Sequence, residues 1–150
     1  MRTVRDEAGK QYLLLKESSD ASLVRDPETG QERHLLNDRL EPAGGESALE
    51  TAANAVPEQT RALLRAVRDD RSLGLLLEID RRGPVAVRDL MGGYDLCESD
   101  LHGLLTEFRA ARLLAEADVG GERGYDTTER AAAALGRLRE QQAAGPESDE

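Results

Sequence analysis

The sequence predicts a mixed α+β fold, mostly α-helical, in which a helix-turn-helix and a two-stranded hairpin follow a small antiparallel β element. Apolar residues recur at helical spacing along 99–111, and an alternating segment interrupted by glycines follows at 113–127. Before residue 48, short β-prone runs flank a strong turn signal. Aromatic residues make up only 3% of the chain, so a core of leucine, valine and alanine favours packed helices over a large sheet.

The first part of the chain, 1–47, is expected to form a small antiparallel β-hairpin or meander and a linker. The apolar run 12–16 predicts a strand, and the order Asp-Pro-Glu-Thr-Gly at 26–30 predicts a hairpin turn. Proline and glycines at 41–47 predict the linker. Because three short strands are too few to be stable alone, we expect them to pack on the helical part or on a second chain. A binding site for an effector or partner is the alternative.

A second domain is predicted over 48–142, and its first half is helical. A weak helical turn at 48–55 precedes a helix over 58–69. The apolar pattern continues past a break near Asp70 until Gly83-Pro84 ends it.

The second half of this domain contains two further helices and the hairpin. A short helix at 88–92 is expected to bury Leu90 and Met91, and a turn leads to the helix 99–111. Gly124 is expected at the hairpin tip together with two preceding glycines.

The last predicted helix begins at a threonine cap, Thr127 or Thr128, and ends near residue 142. Its apolar stripe is expected to form a dimer seam or to pack on the helices of its own chain. The stripe consists of Ala131, Ala134, Leu135 and Leu138. The remaining segment, 143–150, is acidic and is expected to be disordered.

The chain is strongly acidic and poor in lysine. Its formal net charge is -10, and only Lys10 and Lys16 among its 20 basic residues are lysines. This balance indicates a proteome adapted to molar salt, because acidic surfaces stay soluble there while their repulsion is screened. An ordinary acidic bacterial protein is the alternative.

Features that the sequence lacks predict where the protein is located and which chemistry it does not perform. It has no apolar run of about 18 residues and no signal peptide, and its single cysteine suits a reducing compartment, so a cytoplasmic protein without membrane contact is expected. His34, Cys97 and His102 are too few and too scattered for a zinc site. Without a phosphate loop or a nucleophile beside a base, we expect no enzyme, no cofactor and no metal.

Three segments in this order resemble the winged helix-turn-helix transcription regulators, most of all the MarR-, ArsR- and PadR-like types. Residues 83–90 are similar to the family's short strand entering its second helix. Residues 96–114 resemble its turn, recognition helix and first wing strand, and 124–129 its return strand and final helix cap. The resemblance covers roughly 58–142 and, with the composition, implies a regulator from a halophilic archaeon.

The resemblance implies that 99–111 is a recognition helix in the major groove, that 113–127 is the wing, and that a homodimer binds double-stranded DNA. Hydrogen-bonding side chains would meet base edges, and arginines would reach phosphates, with Arg123 at the wing tip entering the minor groove. The implied DNA-binding residues are Ser99, His102, Gly103, Thr106, Arg109, Arg112 and Arg123.

The charge of this region departs from the family pattern. Residues 84–130 contain five arginines and ten acidic residues, a local net charge of -5 (5 minus 10), which is unfavourable for phosphate binding. Arg112 stands where the family often has glycine. A winged-helix module that binds a protein partner without direct DNA contact is therefore the alternative function.

Overall fold

A computed structural model describes residues 1–143, and it divides into two compact units between Glu58 and Gln59. Apart from residue 143, the expected disordered tail lies outside the described residues. None of the described helices combines the length and the apolar composition needed to cross a bilayer.

The first unit is built on an antiparallel sheet, whose strands are β1 Arg2–Arg5, β2 Gln11–Glu17, β3 Ala21–Arg25, β4 Glu32–Leu36 and β5 Glu41–Pro42. Their order in the sheet is β4-β3-β2-β1-β5. The predicted strand at 12–16 and the predicted hairpin are confirmed as β2 and the β3–β4 pair. β1 and β5 were not predicted, because four and two residues give too short a pattern. β5 occupies the expected linker and pairs with β1.

The β3–β4 turn is held by Asp26 through both its backbone and its side chain. Gly30 adopts a φ of 74° and donates its N–H to the Asp26 carbonyl at 2.8 Å. The Asp26 carboxylate accepts from Glu28 N at 2.9 Å and from the Lys10 ammonium at 2.6 Å. The Lys10 hydrogen bond lowers the pKa of Asp26 below its usual value, and the Glu28 N–H acts in the same direction.

A short helix, α1 Ala48–Ala52, packs on β1 and β2 within the first unit. Ser47 and Glu50 form a reciprocal capping box at its start. The hydroxyls of Thr3 and Thr51 share a buried hydrogen bond of 2.6 Å. The structure thus groups 48–55 with the β element, whereas the expected boundary lay before residue 48. Periodicity alone does not reveal a contact between threonines 48 positions apart.

The second unit has the element order of a helix-turn-helix followed by a hairpin. Its elements are α2 Glu58–Ala66, α3 Asp70–Arg82, β6 Val85–Ala86, α4 Val87–Gly93, α5 Glu98–Ala110, β7 Leu114–Val119, β8 Glu122–Thr127 and α6 Glu129–Ala143. The strand order β6-β8-β7 places the short strand before α4 beside the hairpin. The order of helices and strands from α4 to α6 is the one predicted from the sequence, whereas the pairing of β6 with β8 was not predicted. The predicted break near residue 70 is also present, where Asp69 caps α3.

The core of the second unit is formed by the apolar faces of its helices together with the hairpin base. Its fully buried large side chains include Leu63, Leu76, Ile79, Leu90, Leu101, Leu105, Phe108, Leu113 and Leu135. The predicted apolar stripe of α5 therefore faces inward. The expected burial of Met91 is wrong, since that side chain is 38% exposed. Leu90 and Met91 differ by about 100° around a short helix, so only one of them can face the core.

Gly124 lies in β8, opposite Ala86 and Ala117, and not at the hairpin tip. A Cβ atom there would lie 2.5 Å from the Val85 carbonyl oxygen. The tip is formed by Gly120 and Gly121, whose φ angles are 62° and 86°. Gly124 is therefore needed for close strand approach, which the sequence pattern alone does not distinguish from turn formation.

α6 begins at the predicted threonine cap. Thr128 Oγ1 accepts from Ala131 N at 3.2 Å and donates to the Arg112 carbonyl at 2.7 Å, which links α6 to the end of α5. Three members of the predicted stripe, Ala131, Ala134 and Leu135, belong to the core of their own unit, while Leu138 is 39% exposed.

Candidate nucleic-acid interface

The outer face of α5 presents short polar side chains. Ser99, His102, Gly103, Thr106 and Arg109 are all exposed. Their spacing of three and four residues places them along one face of the helix, opposite the buried leucines and phenylalanine. The structure thus aligns five of the sequence-predicted site residues in one row.

This row offers hydrogen-bond donors and acceptors over a surface without large apolar groups. Ser99 and Thr106 contribute hydroxyls that donate or accept, and the ring of His102 can do either. His102 Nε2 lies 3.7 Å from a Glu98 carboxylate oxygen one turn earlier. A Cβ at Gly103 would meet only open space, so packing does not require glycine there.

Two arginines converge on one carboxylate between the end of α5 and the hairpin. Glu116 Oε1 lies 2.7 Å from Arg123 Nη2 and 3.3 Å from Arg109 Nη1. The Arg123 guanidinium also donates to Tyr125 Oη at 3.0 Å. The guanidinium carbons of Arg109 and Arg123 lie 6.0 Å and 5.8 Å from the centre of the Tyr125 ring. We call these four residues the arginine clamp.

The hairpin pairing explains why the clamp forms. Glu116 on β7 stands opposite Tyr125 on β8, and Arg123 precedes Tyr125 by two residues, so all three share a face. Arg109 reaches the same face from the last turn of α5. The hydrogen bond that Arg123 donates to Glu116 raises the pKa of Arg123 above its usual value, and Tyr125 acts in the same direction. Arg123 stands opposite Asp118, one pair from the hairpin tip, and its guanidinium turns back along the hairpin toward Glu116 and Tyr125.

Other basic residues around α5 are paired with acidic ones as well. Arg88 Nη2 on α4 lies 3.0 Å from Glu122 of β8, and Arg68 forms an ion pair with Glu107 of α5. Such exposed pairs are individually weak, yet each places a carboxylate beside a cation of this face. The acidic excess seen in the sequence is thus interleaved with the arginines in three dimensions.

Arg112 closes α5 in the left-handed conformation, with a φ of 59°. Leu113 N donates to the Phe108 carbonyl at 2.8 Å, which completes a helix-terminating turn. This is the position where glycine was expected from the resemblance, and the structure keeps the conformation that glycine favours. The Arg112 side chain is exposed beyond the end of the polar row.

Glu116 and Tyr125 are the members of the site that sequence reasoning missed. Neither residue belongs to the DNA-binding set that the resemblance implies. Glu116 stands opposite Tyr125 only in the register set by a tip at Gly120 and Gly121. With Gly124 assigned to the tip, the sequence does not predict that Glu116 and Tyr125 are paired. No group of three or more histidine, cysteine or acidic side chains in the described residues is arranged to hold a metal ion.

Comparison with known proteins identifies a family for nearly the whole chain. Residues 1–139 match DUF7346, a family of unknown function. The chain belongs to this family. The match includes the N-terminal β element, which could not be placed from sequence reasoning.

Other comparisons add little to the family match. No curated protein matches the chain. Among solved structures, an ArsR family transcriptional regulator is similar with a TM-score of 0.39 and 20% identity, over 63% of this chain and 97% of that one.

Proposed function

We propose that the protein is a sequence-specific, DNA-binding transcription regulator that acts through α5 and the hairpin. The observation that supports this most is the polar row on α5, which is exposed along its length while the opposite face is fully buried. A helix of this shape, carrying small hydrogen-bonding groups, fits a major groove and can read base edges through Ser99, His102 and Thr106. Gly103 allows close approach in the middle of the row.

Phosphate contacts would flank the row. Arg109 follows it on α5, Arg112 lies beyond the helix end, and Arg123 lies on the adjacent hairpin strand. In this docking mode the hairpin lies along the backbone as a wing, and its arginines set the register while α5 supplies specificity. The function needs neither a metal nor a cofactor and is not enzymatic.

We also propose that the protein is a homodimer, since a two-fold protein matches a palindromic site. It is a cytoplasmic protein that works in molar salt, as in a halophilic archaeon. Exposed apolar side chains on two helices of the second unit are candidate dimer contacts. Leu64 of α2 is 65% exposed and Leu138 of α6 is 39% exposed. Equilibrium sedimentation at the salt concentration used for DNA binding measures the assembly state.

The test is selection of bound sequences from a random duplex pool, in potassium chloride from about 0.2 M to about 2 M. We expect an enriched palindrome that is still bound at high salt. The double variant T106A/R123A should lose that enrichment, while R137A, which removes an exposed arginine from α6, should retain it. Wild-type affinity in T106A/R123A would refute this docking mode.

A protein-interaction module without direct DNA contact is the second candidate. It is favoured by the paired arginines, because Arg88, Arg109 and Arg123 each lie within 3.3 Å of a wing carboxylate. An acidic outer face suits a basic protein partner. Two results together would support it over DNA binding. One is the absence of enrichment at every salt concentration, and the other is a specific protein partner whose binding is weakened by substitutions at Glu98 or Asp118.

A further inference from the structure

The arginine clamp has the geometry of an oxyanion site that is already occupied by a side chain of the protein. Two guanidinium groups from different elements form ion pairs with the same oxygen, Glu116 Oε1, at 2.7 Å and 3.3 Å. The Tyr125 hydroxyl fixes one of them from behind, and its buried ring lies within cation–π distance of both. Two converging guanidinium groups form a site for phosphate as well as for carboxylate.

We propose that the clamp is a DNA-backbone phosphate site in which Glu116 acts as an internal competitor. A phosphodiester oxygen replaces the Glu116 carboxylate between Arg109 and Arg123, and the released carboxylate turns toward solvent. This inference rests on the proposed DNA-binding function. It assigns to Glu116 the suppression of non-specific binding, because DNA occupies the site only when contacts made by α5 offset the exchange.

The exchange is sterically open from the solvent side. The side chains of Arg109, Glu116 and Arg123 are 45%, 49% and 61% exposed, so none needs the core to rearrange. With Glu116 in place the two arginines and the carboxylate carry a net charge of +1, and without it they carry +2. Removing the carboxylate therefore strengthens attraction to any duplex, regardless of its sequence.

The hairpin supplies a matched control for this substitution. Asp118 lies two residues from Glu116 on the same strand, is exposed, and forms no ion pair with an arginine among the described residues. Its carboxylate accepts from Gly121 N at 2.8 Å, a role that asparagine retains. Asp118→Asn thus changes net charge by the same amount as Glu116→Gln without releasing an arginine.

The experiment measures affinity for random-sequence duplex DNA by fluorescence anisotropy as a function of potassium chloride, for wild type, E116Q, D118N and E116Q/R123A. We expect E116Q to bind roughly tenfold more tightly than D118N near 0.2 M salt, because two exposed ion pairs no longer compete. Its slope of log affinity against log salt should be steeper than that of D118N by about 1, for one added phosphate contact. In E116Q/R123A, both the tighter binding and the steeper slope should be lost.

Equal affinities and slopes for E116Q and D118N would overturn the inference and leave DNA binding itself standing. Failure of E116Q/R123A to reverse the gain would overturn it as well, since the gain would then not depend on the clamp. Absence of binding by every variant at every salt concentration would refute the proposed function and the inference with it. Circular dichroism of each variant verifies that the fold is retained.

Discussion

Gly124→Ala tests whether the short strand β6 fixes the position of the hairpin. The added Cβ would lie 2.5 Å from the Val85 carbonyl oxygen and 2.7 Å from Val119 Cγ2. An ordinary contact between carbon and a carbonyl oxygen is about 3.3 Å, so the strands must separate by roughly 0.8 Å. The neighbour that must move is backbone, and it cannot rotate away as a flexible side chain would.

The loss of stability in G124A follows from the pairing of β6 with β8, which strand separation would break. β6 pairs with β8 through only two residues, Val85 opposite Tyr125 and Ala86 opposite Gly124. Overpacking costs about 1–3 kcal/mol, and each backbone hydrogen bond lost adds about 1 kcal/mol. We expect G124A to lower the free energy of unfolding by about 2–4 kcal/mol. For a unit of this size the melting temperature should fall by roughly 10–25 °C.

Gly103→Ala is the matched control, since it makes the same chemical change on a different element. Gly103 lies inside α5, and a Cβ there meets open space. Alanine should therefore stabilise the helix by about 0.5–1 kcal/mol. Urea denaturation followed by far-ultraviolet circular dichroism measures both variants, because the long helices α2, α3, α5 and α6 all belong to the second unit. A G124A variant as stable as the wild type, or equal losses in both variants, would refute the reasoning.

Two further predictions concern the ends of α5 and the β3–β4 turn. Arg112→Gly should raise the free energy of unfolding by about 0.5–1 kcal/mol in urea denaturation, because glycine adopts a φ of 59° without strain. Arg112→Ala, which keeps the strained backbone, should show no gain, and an equal gain would indicate a side-chain effect. Since Lys10 lowers the pKa of Asp26, this carboxylate stabilises the fold above its unfolded pKa of about 3.9, and the contribution disappears as pH falls through the folded value. Asp26→Asn should therefore reduce the loss of stability between neutral pH and about pH 3, measured as the urea midpoint. Asp20→Asn, which removes an exposed carboxylate elsewhere in the same unit, is the charge-matched control.

The sequence predicts the elements that its patterns encode directly. The stripe of α5, the Asp-to-Gly turn at 26–30 and the threonine cap of α6 each depend on residues within one or two turns of the chain, and all three are present. The elements that were not predicted depend on contacts between residues far apart in the sequence. β5 is recognisable only as the partner of β1, and α1 joins the β element through Thr51 and Thr3.

The site shows the same division between local and distant information. Exposure of the row on α5 follows from the position of its buried face, so it could be predicted. The arginine clamp could not, because it needs the hairpin register and the last turn of α5 together. Gly124 links the two cases, since its conformational freedom suggested a turn while its actual requirement is space beside Val85.

The acidic face and the DNA-binding proposal are compatible because salt acts differently on their two components. At about 1 M salt the Debye length is near 3 Å, so repulsion between the carboxylates of α5 or the wing and phosphates is largely screened. Hydrogen bonds from Ser99, His102 and Thr106 to base edges act at contact distance and are much less affected. A regulator of this kind should lose little specific affinity as salt rises, since its wild-type arginines release few counterions. A protein-interaction module that binds a basic partner should instead weaken steadily over the same range, because its attraction is the interaction being screened. The steepness of the salt dependence therefore separates the two functions.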